Sequence, residues 1–156
     1  MNKGTKVKQQ QRVVLLALYL LKHIFNHNMP EKKQVLNFIQ LRGLMNIPKE
    51  DLDARDSGEA IWRNDLAWKR QDLKDSGFIT KPEKGKWQLT PQGEENVEIW
   101  AAKVKIRSEK TPDWEAEFTP DVEEDLYITK EVVRWARSIA DTHLKETAQS
   151  IGILPR

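Results

Sequence analysis

The amino-acid sequence predicts a mainly α-helical protein with one small β-hairpin, and three observations carry that expectation. "RVVLLALYLLKHIF", from Arg12 to Phe25, is apolar on nearly every side, so it reads as a helix buried against several neighbours. "EAIWRNDLAWKRQDLKDSG" keeps a helical apolar period until Gly77 stops it. Directly after it, "FIT" and "WQL" are β-branched and aromatic runs separated by a Pro- and Gly-containing tip, the pattern of a hairpin. Two strands alone are marginal in water and need a support, which the preceding helix supplies. Helix, tight turn, then basic hairpin is the order of a winged helix-turn-helix, here followed by C-terminal helices.

The first helix is the expected centre of the core. After "NHN", Pro30 suits a first helical turn, and Val35, Leu36, Phe38, Ile39 and Leu41 give the second helix an apolar face that ends near Gly43. "NIPKEDLDARDSG" reads as a helical turn and a loop. The pair Asp56 and Glu59 forms a capping pattern that starts the third helix at about Gly58. Trp62, Leu66 and Leu73 form its core stripe. In the hairpin, Trp87 and Leu89 alternate with Gln88 and should point inward.

Thr-Pro recurs at Thr90-Pro91, Thr111-Pro112 and Thr119-Pro120, each ahead of acidic residues. Threonine as cap, proline at the first helical position and carboxylates in the first turn favour helix starts. A fourth helix is therefore expected over 92–106, with Val97, Trp100, Ala101 and Val104 inward, and a fifth over 120–147. Between them runs a linker with one helical turn near Trp114. The fifth helix carries Val132, Trp135, Ala136, Ile139 and His143 on one stripe, which must be covered by the first helix or by a second copy in a homodimer. Dimerisation is the expectation, because the two helices together present more apolar face than the head alone can cover.

Composition narrows the function. The 156 residues include no cysteine, which removes disulfides, thiol catalysis and cysteine zinc sites and fits a cytoplasmic location. Nothing at the N-terminus reads as a signal peptide, and the run Val13–Leu21 is too short to span a bilayer. Residues 1–93 hold 17 Lys/Arg against 10 Asp/Glu, net +7, and residues 94–156 hold 9 against 14, net −5. The chain therefore divides into a basic winged-helix domain over 1–93, with Lys3, Lys6 and Lys8 on an N-terminal arm, and a helical extension over 94–156 for packing or dimerisation. The basic part favours a polyanion.

At about 100° per residue along the third helix, Arg63, Ala67, Arg70 and Lys74 share a face, with Asn64 and Gln71 beside it. Arginine reads guanine bidentately, Asn or Gln reads adenine, lysine neutralises phosphate, and small Ala67 permits close approach to a major groove. Lys81, Lys84 and Lys86 project from the narrow hairpin towards phosphates. Trp68 and Ile61 fall on a third side, near Asp65 and Asp72, expected to touch the hairpin or a later helix.

"WRNDLAW", "LKDSGFI" and "KGKWQLTPQG" together resemble the N-terminal winged-helix domain of Mrr-type restriction proteins. The resemblance covers residues 12–93 and rests on Trp62, Asn64, Leu66, Trp68, Leu73, Gly77, Gly85, Trp87, Leu89, Thr90 and Gly93. It departs at Asp65, where a basic residue is common in the family. It implies a module that binds double-stranded DNA. Family members attach this module to nuclease domains whose motifs are not found in this sequence, so the expectation is a non-enzymatic regulator or accessory factor of a mobile element or defence system. The alternative is a protein–protein contact module, an adaptor or inhibitor, which Asp65, Asp72 and Asp75 support.

Chemistry is sparse. "PDWEAE" at 112–117 has the look of a nuclease metal motif, but Glu117 stands where that motif requires lysine. His23 and His27 have the zincin spacing without its glutamate. No catalytic residue, metal or cofactor is expected.

Overall fold

The computed structural model describes residues 3–45, 61–110 and 129–155. Among them are six helices: α1 (Lys3–Phe25), α2 (Lys32–Arg42), α3 (Ile61–Asp75), α4 (Pro91–Glu109), α5 (Lys130–Asp141) and α6 (Leu144–Ser150). Strands β1 (Ile79–Thr80) and β2 (Gln88–Leu89) lie between α3 and α4. The expected starts at Asp56–Glu59 and Thr119-Pro120, the turn near Trp114 and the 112–117 motif fall outside the described residues.

Every residue from Val13 to Leu21 is buried. Helix α1 touches α2, α3, α4, α6 and β2, so no side of the run from Val13 to Leu21 is left to water. It also begins further upstream than expected: Lys3 already lies in the helix rather than on a separate N-terminal arm. At its other end Asn26 adopts φ 55°, letting the His27 N–H reach the Leu21 carbonyl at 3.0 Å.

Helix α2 starts two residues after Pro30, not on it. The Pro30 carbonyl instead accepts the Trp87 N–H at 2.9 Å, and Glu31 bridges Lys86 in antiparallel sense, so the chain entering α2 lies as a third partner beside the hairpin. Gly43, at φ 62°, ends the helix and tucks Leu44 inward through a bond from its N–H to the Ile39 carbonyl. Val35, Leu36, Phe38 and Ile39 are buried as expected, but Leu41 is 74% exposed. Two residues beyond Ile39, it sits roughly 200° around the helix from the buried stripe.

In α3, Trp62, Leu66 and Leu73 are buried, and Gly77 at φ 82° stops the helix while the Phe78 N–H caps the Leu73 carbonyl. The strands pair Ile79 with Leu89 and Thr80 with Gln88. Ile79, Trp87 and Leu89 face the core, so inward alternation holds.

Thr90 then joins three segments. Its hydroxyl donates to the Gly77 carbonyl (2.7 Å) and accepts from Gly93 N–H (3.0 Å), while its own N–H bonds the Phe78 carbonyl (3.0 Å). Pro91 takes the first turn of α4, the arrangement expected of Thr-Pro. The base of α4 is fixed to α1 by Glu94, which accepts from Lys22 Nζ (2.7 Å) and pairs with His23 Nε2. Burial pushes the Glu94 carboxyl up, but hydrogen bonds and charge from Lys22 and His23 outweigh it and hold the group below the ordinary carboxylate value. Burial and the charges of Glu98 and Glu94 push the neighbouring Tyr19 phenol up to about 12.

The expected fifth helix is two helices. Thr142 adopts φ 58° and the His143 N–H bonds the Ser138 carbonyl at 2.8 Å, closing α5 before α6 begins. His143 is accordingly exposed rather than part of the apolar stripe. Val132, Val133, Trp135, Ala136 and Ile139 are buried within the one chain, with α5 packed on α4. That intramolecular cover removes the uncovered stripe from which a homodimer was expected. Thr129 ties the start of α5 to the head by donating to the Gly43 carbonyl (2.8 Å), and Lys105 pairs with Asp141 between α4 and α5. No helix among the described residues is long and apolar enough to cross a membrane.

Candidate nucleic-acid interface

The buried stripe of α3 faces α1, which turns its opposite side outward. On that side Gln71 and Lys74 are exposed, and Arg63, Asn64, Ala67 and Arg70 are half-buried. Hairpin residues Lys81 and Lys84 are exposed, and Lys86 is half-buried. Asn64, Ala67, Trp68 and Arg70 of α3, Gly85 and Trp87 of the hairpin, and Lys32 at the start of α2 line one open cleft of about 390 Å³. The structure thus brings Asn64 and Arg70 together with the hairpin, while Arg63 stands nearer α2.

Several of these heads are held in place. Arg63 donates from Nη2 to Asn37 Oδ1 of α2 at 3.0 Å, and its guanidinium carbon lies 5.3 Å from the centre of the Trp62 ring. Arg70 stands 5.9 Å over Trp87, the buried anchor of the hairpin, which fixes its guanidinium at the junction of helix and wing. Gln71 donates to Asp75 Oδ1 at 2.9 Å, one turn further on. Lys86 pairs with Glu31 at 3.0 Å, leaving Lys81 and Lys84 as the outward wing cations.

Two features differ from the sequence expectation. Trp68 does not bury itself against the hairpin or a later helix: it is 69% exposed at the edge of the cleft. Its position, well around the helix from Trp62 and Leu66, explains this, since the core stripe is already filled. Lys32 was not anticipated at all. Its place follows from the pairing of Glu31 with Lys86, a contact 55 positions apart that no local pattern announces. Among the described residues no group of three or more His, Asp or Glu side chains could hold a metal ion.

A helix-turn-helix head, a hairpin wing after the third helix and a supporting first helix define a winged helix. The chain belongs to the Mrr N-terminal domain family, whose model matches residues 16–98, more than half of the 156 residues and running from α1 into α4. No nuclease domain is detected. No curated protein and no solved structure matches the chain.

Proposed function

We propose that this chain is a double-stranded DNA-binding module of a restriction-related system, acting by recognition rather than by chemistry of its own. The observation that carries the reading is the shared cleft: Asn64 and Arg70 of α3 and Gly85 of the wing border one concave surface, so a duplex seated on the helix also meets the hairpin. Arg70 and Asn64 read base edges in the major groove, with Gln71 beside them and Lys74 on phosphate. Arg63, held by Asn37, approaches the groove from the α2 side. Lys81 and Lys84 neutralise backbone phosphates, and Lys86 joins them only by leaving Glu31.

The test is a gel-shift titration with random and selected duplexes across a range of salt. Arg70→Ala should cost about 1–3 kcal/mol on a selected site and flatten sequence preference. Lys81→Ala with Lys84→Ala should weaken all duplexes about equally and reduce the salt slope by roughly one unit per lost phosphate contact. Absence of duplex binding at low salt would overturn the proposal and favour a protein-contact module, for which the exposed Asp72 and Asp75 on α3 speak.

A further inference from the structure

The cleft between α3 and the wing contains more than a groove-reading helix needs. A paired base shows a protein only its edge, because its faces are covered by the neighbouring bases. Edge readers such as Asn64 and Arg70 suit that geometry, but an indole does not. Trp68 nonetheless stands 69% exposed on the same rim, beside small Ala67. Base stacking needs an open aromatic face, cations for the adjoining phosphates, a polar group for the base edge, and space. Trp68 supplies the first, Lys32 the second, and Asn64 and Arg70 the third. The volume of about 390 Å³ lies near the lower end of small-ligand sites, roughly 300–1,000 Å³, the scale of one nucleotide rather than of a duplex.

We infer that this cleft receives a single unstacked nucleobase of a bound DNA strand, its ring on Trp68, its edge at Asn64 and Arg70 and its phosphate at Lys32. The inference rests on the DNA-binding reading and adds a substrate class to it: duplexes with a base already out of the stack, at a bulge or a mismatch. Such bases cost least to present, because the unstacking energy has been spent before the protein arrives. Aromatic stacking tolerates any base, so the preference is for the distortion and not for its sequence.

The test compares two labelled short duplexes by fluorescence anisotropy, identical except that one carries an extrahelical 2-aminopurine. The wild-type chain should bind the bulged duplex about tenfold more tightly and quench the 2-aminopurine emission. Trp68→Ala should abolish both the preference and the quenching while leaving the thermal midpoint unchanged, since the ring is exposed. Trp68→Phe should retain most of the preference. Equal affinity of the wild type for both duplexes, or a preference that survives Trp68→Ala, overturns the inference and leaves the DNA-binding reading standing. If neither duplex binds at low salt, both fall together.

Discussion

A methyl group on Gly93 would stand 2.1 Å from the Phe78 carbonyl oxygen and 2.8 Å from Leu89 Cδ1. The contact is to backbone that β1 and the Thr90 N–H hold in place, so the neighbour cannot give way. Helix propensity alone favours alanine over glycine inside a helix by about 1 kcal/mol. Here overpacking wins, and Gly93→Ala should destabilise the chain by about 3 kcal/mol. A thermal or urea midpoint equal to wild type would contradict the close approach of α4 to the hairpin.

Trp87 is 1% exposed and its indole nitrogen has no hydrogen-bond acceptor among the described residues. Trp87→Ala should cost about 3–5 kcal/mol, because the wing loses its inward anchor and a cavity remains. Trp87→Phe should cost much less than alanine, since no hydrogen bond is lost and part of the ring volume is kept. Urea unfolding of both variants checks the order, and a Trp87→Ala change below about 1 kcal/mol would contradict the burial.

Thr142 is a β-branched residue in the left-handed region, the position that ends α5. Glycine carries no Cβ penalty there. Thr142→Gly should therefore raise stability by about 0.5–1 kcal/mol, the net of strain relieved and unfolded-chain entropy gained. A lowered melting temperature would show that the threonine hydroxyl, which donates to the Asp141 carbonyl, outweighs the strain.

Glu94 should make the fold acid-sensitive. Its folded pKa lies below the ordinary value, so the stabilisation from Lys22 and His23 is fully present above the unfolded carboxylate pKa. It is lost as pH falls from that range through the depressed folded value. Urea midpoints taken from neutral pH down to about pH 3 should decline less steeply for Glu94→Gln than for wild type. Parallel profiles would mean the pair contributes nothing.

Because α5 is covered by α4 within the chain, light scattering without DNA should report the mass of a single chain. A concentration-independent dimer would require a different interface. Candidates are the exposed Ile99 and Ile106, one above the other on the outer side of α4.

What the sequence made legible was what depends on local repetition. The uniform apolar run of α1, the stripe Trp62–Leu66–Leu73, the Gly77 stop and the Thr90-Pro91 start each follow from a few adjacent positions. So does the inward alternation of Trp87 and Leu89. The break at Thr142 was hidden because no glycine marks it; a β-branched residue gives no hint of left-handed backbone. Leu41 was assigned to an apolar face by its chemistry rather than by its angle. In the candidate interface, helical periodicity gathered Arg63, Ala67, Arg70 and Lys74 on one face of α3, of which Ala67 and Arg70 line the cleft. It could not say that Arg63 is held by Asn37, that Lys86 is engaged by Glu31, or that Lys32 borders the cleft, since each depends on segments far apart in the chain.

The hydroxyl of Thr90 has a mechanical consequence. It ties Gly77, just past the end of α3, to the beginning of α4 across the base of the hairpin, and Gly93 packs α4 against the hairpin at Phe78 and Leu89. This joint sets the heading of α4 relative to α3, like the corner of a bracket. A duplex seated against α3 would fix the bearing of α4, and any partner carried on the outer side of α4 would arrive at a set angle and distance along the double helix. Loosening the joint by Thr90→Ala would leave each arm with its own surface but give the bracket play.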